Sequence, residues 1–177
     1  AHHGHNDFCI ALGYKAEVIK RYFLSFDAIN SDFSLNLSSG EMEIQNKSGL
    51  DWKVTLVDTG QNTMTGGRVK RMQPYIGNEP FMLTYGDGLT NQNLKKLLNF
   101  HLKHKKVATM TAVRPLVRFG EIALKQNQVK DFQEKPQSTK GWINGGFFVF
   151  NYKIFDFIKS DQTMLEREPM QKLTKQS

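Results

Sequence analysis

An apolar run, Phe81-Met82-Leu83, leads straight into Thr84-Tyr85-Gly86-Asp87-Gly88, and a helical pattern follows within a few residues. This order constrains the fold, because a carboxylate at the C-terminal end of a strand stands where open α/β sheets bind their ligands. Flanking glycines let a bulky phosphate approach the backbone. A lone aspartate suits Mg²⁺, which takes few carboxylates and fills its other positions with phosphate oxygens and water. The first expectation is therefore a nucleotide–metal site, with a plain Gly-Asp-Gly turn as the alternative that the five residues alone allow equally.

Periodicity around this segment extends the α/β reading. Residues 7–12 form an apolar run of strand type, and residues 15–26 place Val18, Ile19, Tyr22, Phe23 and Phe26 on one helix face. Polar residues 30–46 carry alternating Phe33, Leu35, Leu37, Met42 and Ile44, a pattern of short antiparallel strands joined through Ser38-Ser39-Gly40. A further strand is expected at 52–57. Thr65-Gly66-Gly67 is expected to break the chain before a basic helical turn at 68–72. Residues 91–103 read as a helix buried along Leu94, Leu97, Leu98 and Leu102, with Thr90 or Asn91 as N-cap. Strands follow at 107–113 and 146–151, a hairpin pairs 120–125 with 129–134, and helical pattern returns at 152–158 and 164–174. Alternating strands and helices imply one domain over residues 1–177, a largely parallel three-layer α/β sheet with an antiparallel insertion.

Composition narrows the function classes. The 177 residues, 39% hydrophobic, suffice for one domain with a core, and no apolar run reaches transmembrane length. The net charge of +7 is spread along the chain, and its densest block, Lys103-His104-Lys105-Lys106, closes a helix where cations are favoured. Anionic small ligands are expected, not nucleic acid, and no membrane partner. The single cysteine, Cys9, lies in an apolar run and is expected to be a buried, inert thiol in a cytoplasmic protein. His101 and His104 stand three apart on the helix, a metal-compatible spacing with no further ligand evident, and are expected to be exposed.

Four segments carry a family resemblance by their order and spacing: VTLVDTG with MTGGRVKR (54–60 and 64–71), TYGDG (84–88), FQEKP (132–136) and INGGFF (143–148). Together they resemble the sugar-nucleotide pyrophosphorylases over nearly the whole chain. The resemblance implies a three-layer Rossmann-like nucleotidyltransferase fold, mostly parallel, and transfer of a cytidylyl group from CTP to glucose 1-phosphate, with dTTP or UTP as alternative donors. It also implies Mg²⁺, homo-oligomers in contact through residues 30–46, and a place in making deoxysugars for bacterial surface polysaccharide. Members begin with a strand and a Gly-rich loop and end with a segment holding a second metal-binding aspartate. This chain carries neither, so it is expected to be an interior fragment, incomplete at both ends and inactive alone. A non-catalytic sugar-phosphate-binding or assembly module is the reading from another class.

The resemblance assigns roles that the residue chemistry supports. Asp87 is the metal ligand, with Gly86 beside it open to the ribose or base edge. Thr63, Gly67 and Arg68 fall where the family meets the nucleotide: a Gly-Gly pair at a helix start offers free amides, and Arg68 a fork of guanidinium donors. Glu134 accepts from sugar hydroxyls, Lys135 meets the sugar phosphate, and Asn144 reaches a further hydroxyl. Tyr85 and Gly120 line the sugar pocket. Arg68, Asp87 and Lys135 are the residues expected to carry the reaction, by charge neutralisation and alignment rather than by a covalent intermediate.

Overall fold

A computed structural model describes residues 1–47, 49–115, 121–133 and 141–176, and within 121–133 the side chains of 125–130 alone. The chain divides into two compact units, residues Ala1–Glu79 with Lys153–Ser177, and Pro80–Tyr152. Sequence periodicity carried no sign of this division, since the first unit is closed by a segment that returns after the second.

In the first unit, β1 (Asp7–Leu12) is followed by α1 (Ala16–Leu24), α2 (Phe26–Asn30), the strands β2 (Asp32–Leu35) and β3 (Met42–Gln45), β4 (Lys53–Asp58), α3 (Thr65–Arg71) and α4 (Gln73–Ile76). β1 and β4 pair in parallel from Asp7↔Lys53 to Leu12↔Asp58, so both C-terminal ends lie together. β2 and β3 form the expected antiparallel hairpin. The core gathers Leu12, Val57, Val69 and Met72 with Ile154, Phe155, Ile158 and Leu165 of the returning segment, all buried. Burying each such side chain contributes about 1.5–3 kcal/mol.

One expectation fails here. Strand period two sends Phe8, Ile10 and Leu12 inward, so Cys9 on the opposite face is exposed rather than buried. The apolar face of α1 is likewise only partly covered: no residue of that helix is buried, and Tyr22 keeps 44% of its surface open.

The second unit contains β5 (Phe81–Thr84), α5 (Leu94–His104), β6 (Ala108–Val113), the hairpin β7 (Glu121–Lys125) and β8 (Gln128–Gln133), and β9 (Ile143–Phe150). β9 lies between β5 and β6 and runs antiparallel to both. This corrects the expected mostly parallel sheet: among the described pairings only β1 with β4 is parallel. An apolar run reveals a buried strand but not its direction, and β9 ends in such a run because both of its faces are covered there. Phe148, Val149 and Phe150 are at most 1% exposed, with Phe148 and Phe150 stacked at 5.4 Å. Beyond β9 a 3-10 turn, Tyr152–Phe157, and α6 (Glu168–Lys175) complete the chain, where the sequence pattern suggested longer α-helix.

Candidate active site

In the first unit the expected nucleotide residues cluster around the paired ends of β1 and β4. Arg68, on α3, donates from Nη1 to the Leu12 carbonyl at 3.0 Å and to Thr59 Oγ1 at 2.7 Å, and from Nη2 to the Gln61 carbonyl at 3.2 Å. Thr59 is fully buried and donates its own hydroxyl to Leu12 O at 2.7 Å. Arg68 thus pins the loop after β4 to the end of β1. Gly13 leaves the room for this, since a Cβ there would fall on the Arg68 guanidinium.

Gly66 and Gly67 do not break the chain; they form the buried first turn of α3. A Cβ on Gly67 would stand 2.5 Å from the Asp161 carbonyl oxygen, and one on Gly66 2.7 Å from that of Thr163. The returning segment lies against this helix turn, and its carbonyls take the amides: Met64 N–H donates to Asp161 O at 2.8 Å and Gly67 N–H to Thr163 O at 3.2 Å. The expectation of a free amide at Gly67 is therefore corrected. Thr63, 8% exposed, packs its methyl toward Gly67. Arg71 closes the contact with a two-pronged pair to Asp161, Nε–Oδ1 at 3.0 Å and Nη2–Oδ2 at 2.6 Å. That hydrogen bond raises the Arg71 pKa and lowers that of Asp161.

In the second unit the Tyr85 to Gly88 turn, closed by Gly88 N–H to Tyr85 O at 3.3 Å, sets Asp87 exposed just beyond the end of β5. The turn reading of TYGDG holds, and the turn is what presents the carboxylate. A Cβ on Gly86 would meet nothing within 4 Å, so the space over that residue is open. Asn144 Nδ2 donates to Tyr85 Oη at 3.1 Å and its Oδ1 accepts from Gly146 N–H at 2.8 Å. Asn144 belongs to β9 rather than to a turn. Between the pairs Ala112↔Asn144 and Met110↔Phe148, Thr111 alone faces three residues of β9, and Gly146, at φ +77°, absorbs the bulge. Its missing Cβ makes room for the Tyr85 ring, 2.9 Å from where a Cβ would stand.

Gly120, Glu134 and Lys135 lie outside the described residues. Thr63, Gly67 and Arg68 are brought together in one unit, and Tyr85, Gly86, Asp87 and Asn144 in the other. No group of three or more His, Cys, Asp or Glu able to hold a metal occurs among the described residues. One exposed carboxylate still fits Mg²⁺, whose remaining ligands come from phosphate and water. Sequence reading missed Asp161, which carries no local signal, and misjudged His101, which stands one turn after Leu97 on the buried stripe of α5 and is 2% exposed.

Residues 31–175 match the family model described as nucleotidyl transferase. The chain belongs to that family. It is 45% identical over 175 residues to the glucose-1-phosphate cytidylyltransferase of Salmonella typhimurium, covering 98% of this chain and 68% of the relative. Among solved structures it resembles HddC from Yersinia pseudotuberculosis, with a TM-score of 0.62 at 20% identity over 94% of this chain and 65% of that one. An apo UDP-glucose pyrophosphorylase gives 0.60 at 16% identity over 99% and 72%. These likenesses place the chain in the Rossmann-like α/β fold of sugar nucleotidyltransferases. The chain spans about two thirds of the length of each of these relatives.

Proposed function

We propose that this nucleotidyltransferase moves a cytidylyl group from CTP to glucose 1-phosphate, giving CDP-glucose and pyrophosphate. A phosphate oxygen of the sugar phosphate attacks the α-phosphorus in line, the bond to the bridging oxygen breaks, and pyrophosphate leaves with that electron pair. Two anions must meet, so alignment and charge neutralisation dominate the barrier. Asp87 would hold Mg²⁺, which when bound offsets the charge growing on the transferring phosphoryl group. By the resemblance we assign Lys135 to the sugar phosphate, Glu134 and Asn144 to the sugar hydroxyls, and Tyr85 and Gly120 to the lining of that pocket. Gly86 leaves space for the nucleotide over the turn. Within the first unit we assign Thr63, Gly67 and Arg68 to the nucleotide, Gly67 by letting the returning segment pack on α3 and Arg68 by fixing the loop that ends at Gln61.

The observation that carries this reading is the exposed Asp87 carboxylate at the end of β5, two residues from the Tyr85–Asn144 hydrogen bond. The choice of CTP and glucose 1-phosphate is supported by the relative at 45% identity. The test is pyrophosphate release from CTP, dTTP and UTP with glucose 1-phosphate and Mg²⁺, in the wild type and in Asp87→Asn. CTP is expected to be used best, and Asp87→Asn to abolish turnover with the fold intact. Wild-type turnover by Asp87→Asn at saturating Mg²⁺ removes the metal role. We place the activity in the cytoplasm, which the lone cysteine fits. Self-association we place on the β2–β3 hairpin, whose Phe33, Leu35 and Met42 stay about half exposed.

A further inference from the structure

Two imidazoles in the second unit share one hydroxyl. His101 Nδ1 lies 2.8 Å from Thr109 Oγ1, and His104 Nε2 lies 2.7 Å from the same oxygen. His101 and Thr109 are buried, at 2% and 8% exposure. His104 Nδ1 accepts the backbone N–H of Lys106 at 2.9 Å.

One arrangement of protons gives every donor in these contacts an acceptor. A backbone amide can only donate, so His104 Nδ1 bears a lone pair and the neutral ring carries its hydrogen on Nε2. That Nε2–H donates to Thr109 Oγ1. The threonine hydrogen then points to His101 Nδ1, which accepts. The result is a one-way chain, His104 to Thr109 to His101, joining α5 to β6.

The buried His101 ring cannot take a proton without loss. A hydrogen on His101 Nδ1 would turn the Thr109 hydroxyl away from the acceptor that holds it. The two rings are also 5.3 Å apart, so a charge on one opposes a charge on the other. Among the described residues no carboxylate offsets this: β6 and β9, the strands packed on α5, carry no titratable side chain, and α5 itself adds only Lys95, Lys96 and Lys103, with Lys105 and Lys106 beyond it.

We propose that this chain is a pH-sensitive latch, which holds α5 on β6 above neutrality and releases the C-terminal half of the helix on acidification. Burial, and then the neighbouring His104, push the His101 pKa below its ordinary value. With the folded pKa lowered, the latch contributes fully above the unfolded value of about 6.5 and is lost as pH falls from there toward the folded pKa. The same helix is tied at its start by Gln92 Oε1, which accepts from Thr111 Oγ1 at 2.8 Å. That bond does not titrate. Acid therefore frees the end of α5 remote from the Asp87 turn first.

Backbone amide exchange along α5, read by NMR between pH 7.5 and 5.5 and corrected for the intrinsic pH effect, tests the latch. Protection of residues 101–105 is expected to fall by about tenfold or more, while residues 96–98 change less. Nitrogen shifts of both rings at pH 7.5 should report Nε2–H tautomers. His101→Phe keeps a buried ring and should remove the pH dependence; His104→Gln, at a half-buried position, should do so in part and guards against a His101 variant that fails to fold. Unchanged protection in the wild type, an Nδ1–H tautomer at either ring, or the same pH dependence in folded His101→Phe would overturn the proposal.

Discussion

At the scale of single residues, glycines of like appearance do different work, and substitution separates them. Gly67→Ala pushes a Cβ to 2.5 Å from the Asp161 carbonyl, which is backbone and cannot rotate away. A loss of about 1–3 kcal/mol is expected in urea denaturation, the usual cost of overpacking. Gly86→Ala meets nothing within 4 Å and has no left-handed φ to strain. Its stability should stay within about 0.5 kcal/mol of wild type, while kcat/KM falls about tenfold if the nucleotide lies over the turn. Equal turnover in Gly86→Ala would move the nucleotide elsewhere. The sequence displayed Asp87 clearly, because strand, turn and carboxylate are local features. It could not display the purpose of Gly66-Gly67, because the atoms they avoid lie almost a hundred residues away. Arg68 was legible as a donor fork but not as one occupied by Leu12, Thr59 and Gln61.

Among elements, strands and hairpins were legible wherever pattern and turn chemistry agreed, as in β2 with β3 and β7 with β8. Helix ends were less so: the α5 cap is Asn93, whose side chain accepts from Lys96 N–H at 3.0 Å, rather than Thr90 or Asn91. All three residues are good caps, and only the packing of Leu97 and His101 decides among them. The bulge in β9 was hidden because Asn-Gly-Gly reads as a turn in any sequence. Gly146→Ala tests that bulge. The substitution forces an alanine to φ +77° against the Tyr85 ring, and left-handed backbone costs about 1–2 kcal/mol. The melting temperature should fall and KM for glucose 1-phosphate should rise, with KM for CTP little changed; a rise for CTP alone would reverse the assignment of the two halves. On the β2–β3 hairpin, Leu35→Lys should leave the fold intact and reduce the oligomeric mass seen in sedimentation, and an unchanged mass would clear that surface of the role.

For the whole molecule, charge pointed to anionic ligands without defining the fold, and the division into two units stayed hidden because the first is built from distant pieces. The segment that completes it is braced within itself by ion pairs that acid should undo. Glu168 takes a hydrogen bond from Lys172 and another from Lys159, which bring its pKa to about 2. A lowered carboxylate pKa supports the fold above the ordinary value and loses that support as pH falls toward 2. Glu168→Gln should therefore flatten the decline in melting temperature below about pH 4.5, with little change at pH 7, since exposed pairs contribute little there. An undiminished slope would place the acid-sensitive group elsewhere. The place of β9 also bears on how the protein is made. On the ribosome β5 and β6 emerge well before the strand that must separate them, and Phe81 waits for Phe150 across most of the unit. Until β9 is out, two nascent strands offer unpaired edges to each other or to neighbouring chains, in a register the finished protein never uses. Synthesis paused before residue 143 is thus the moment of greatest exposure to misfolding, and a chaperone that holds this protein has most to do there.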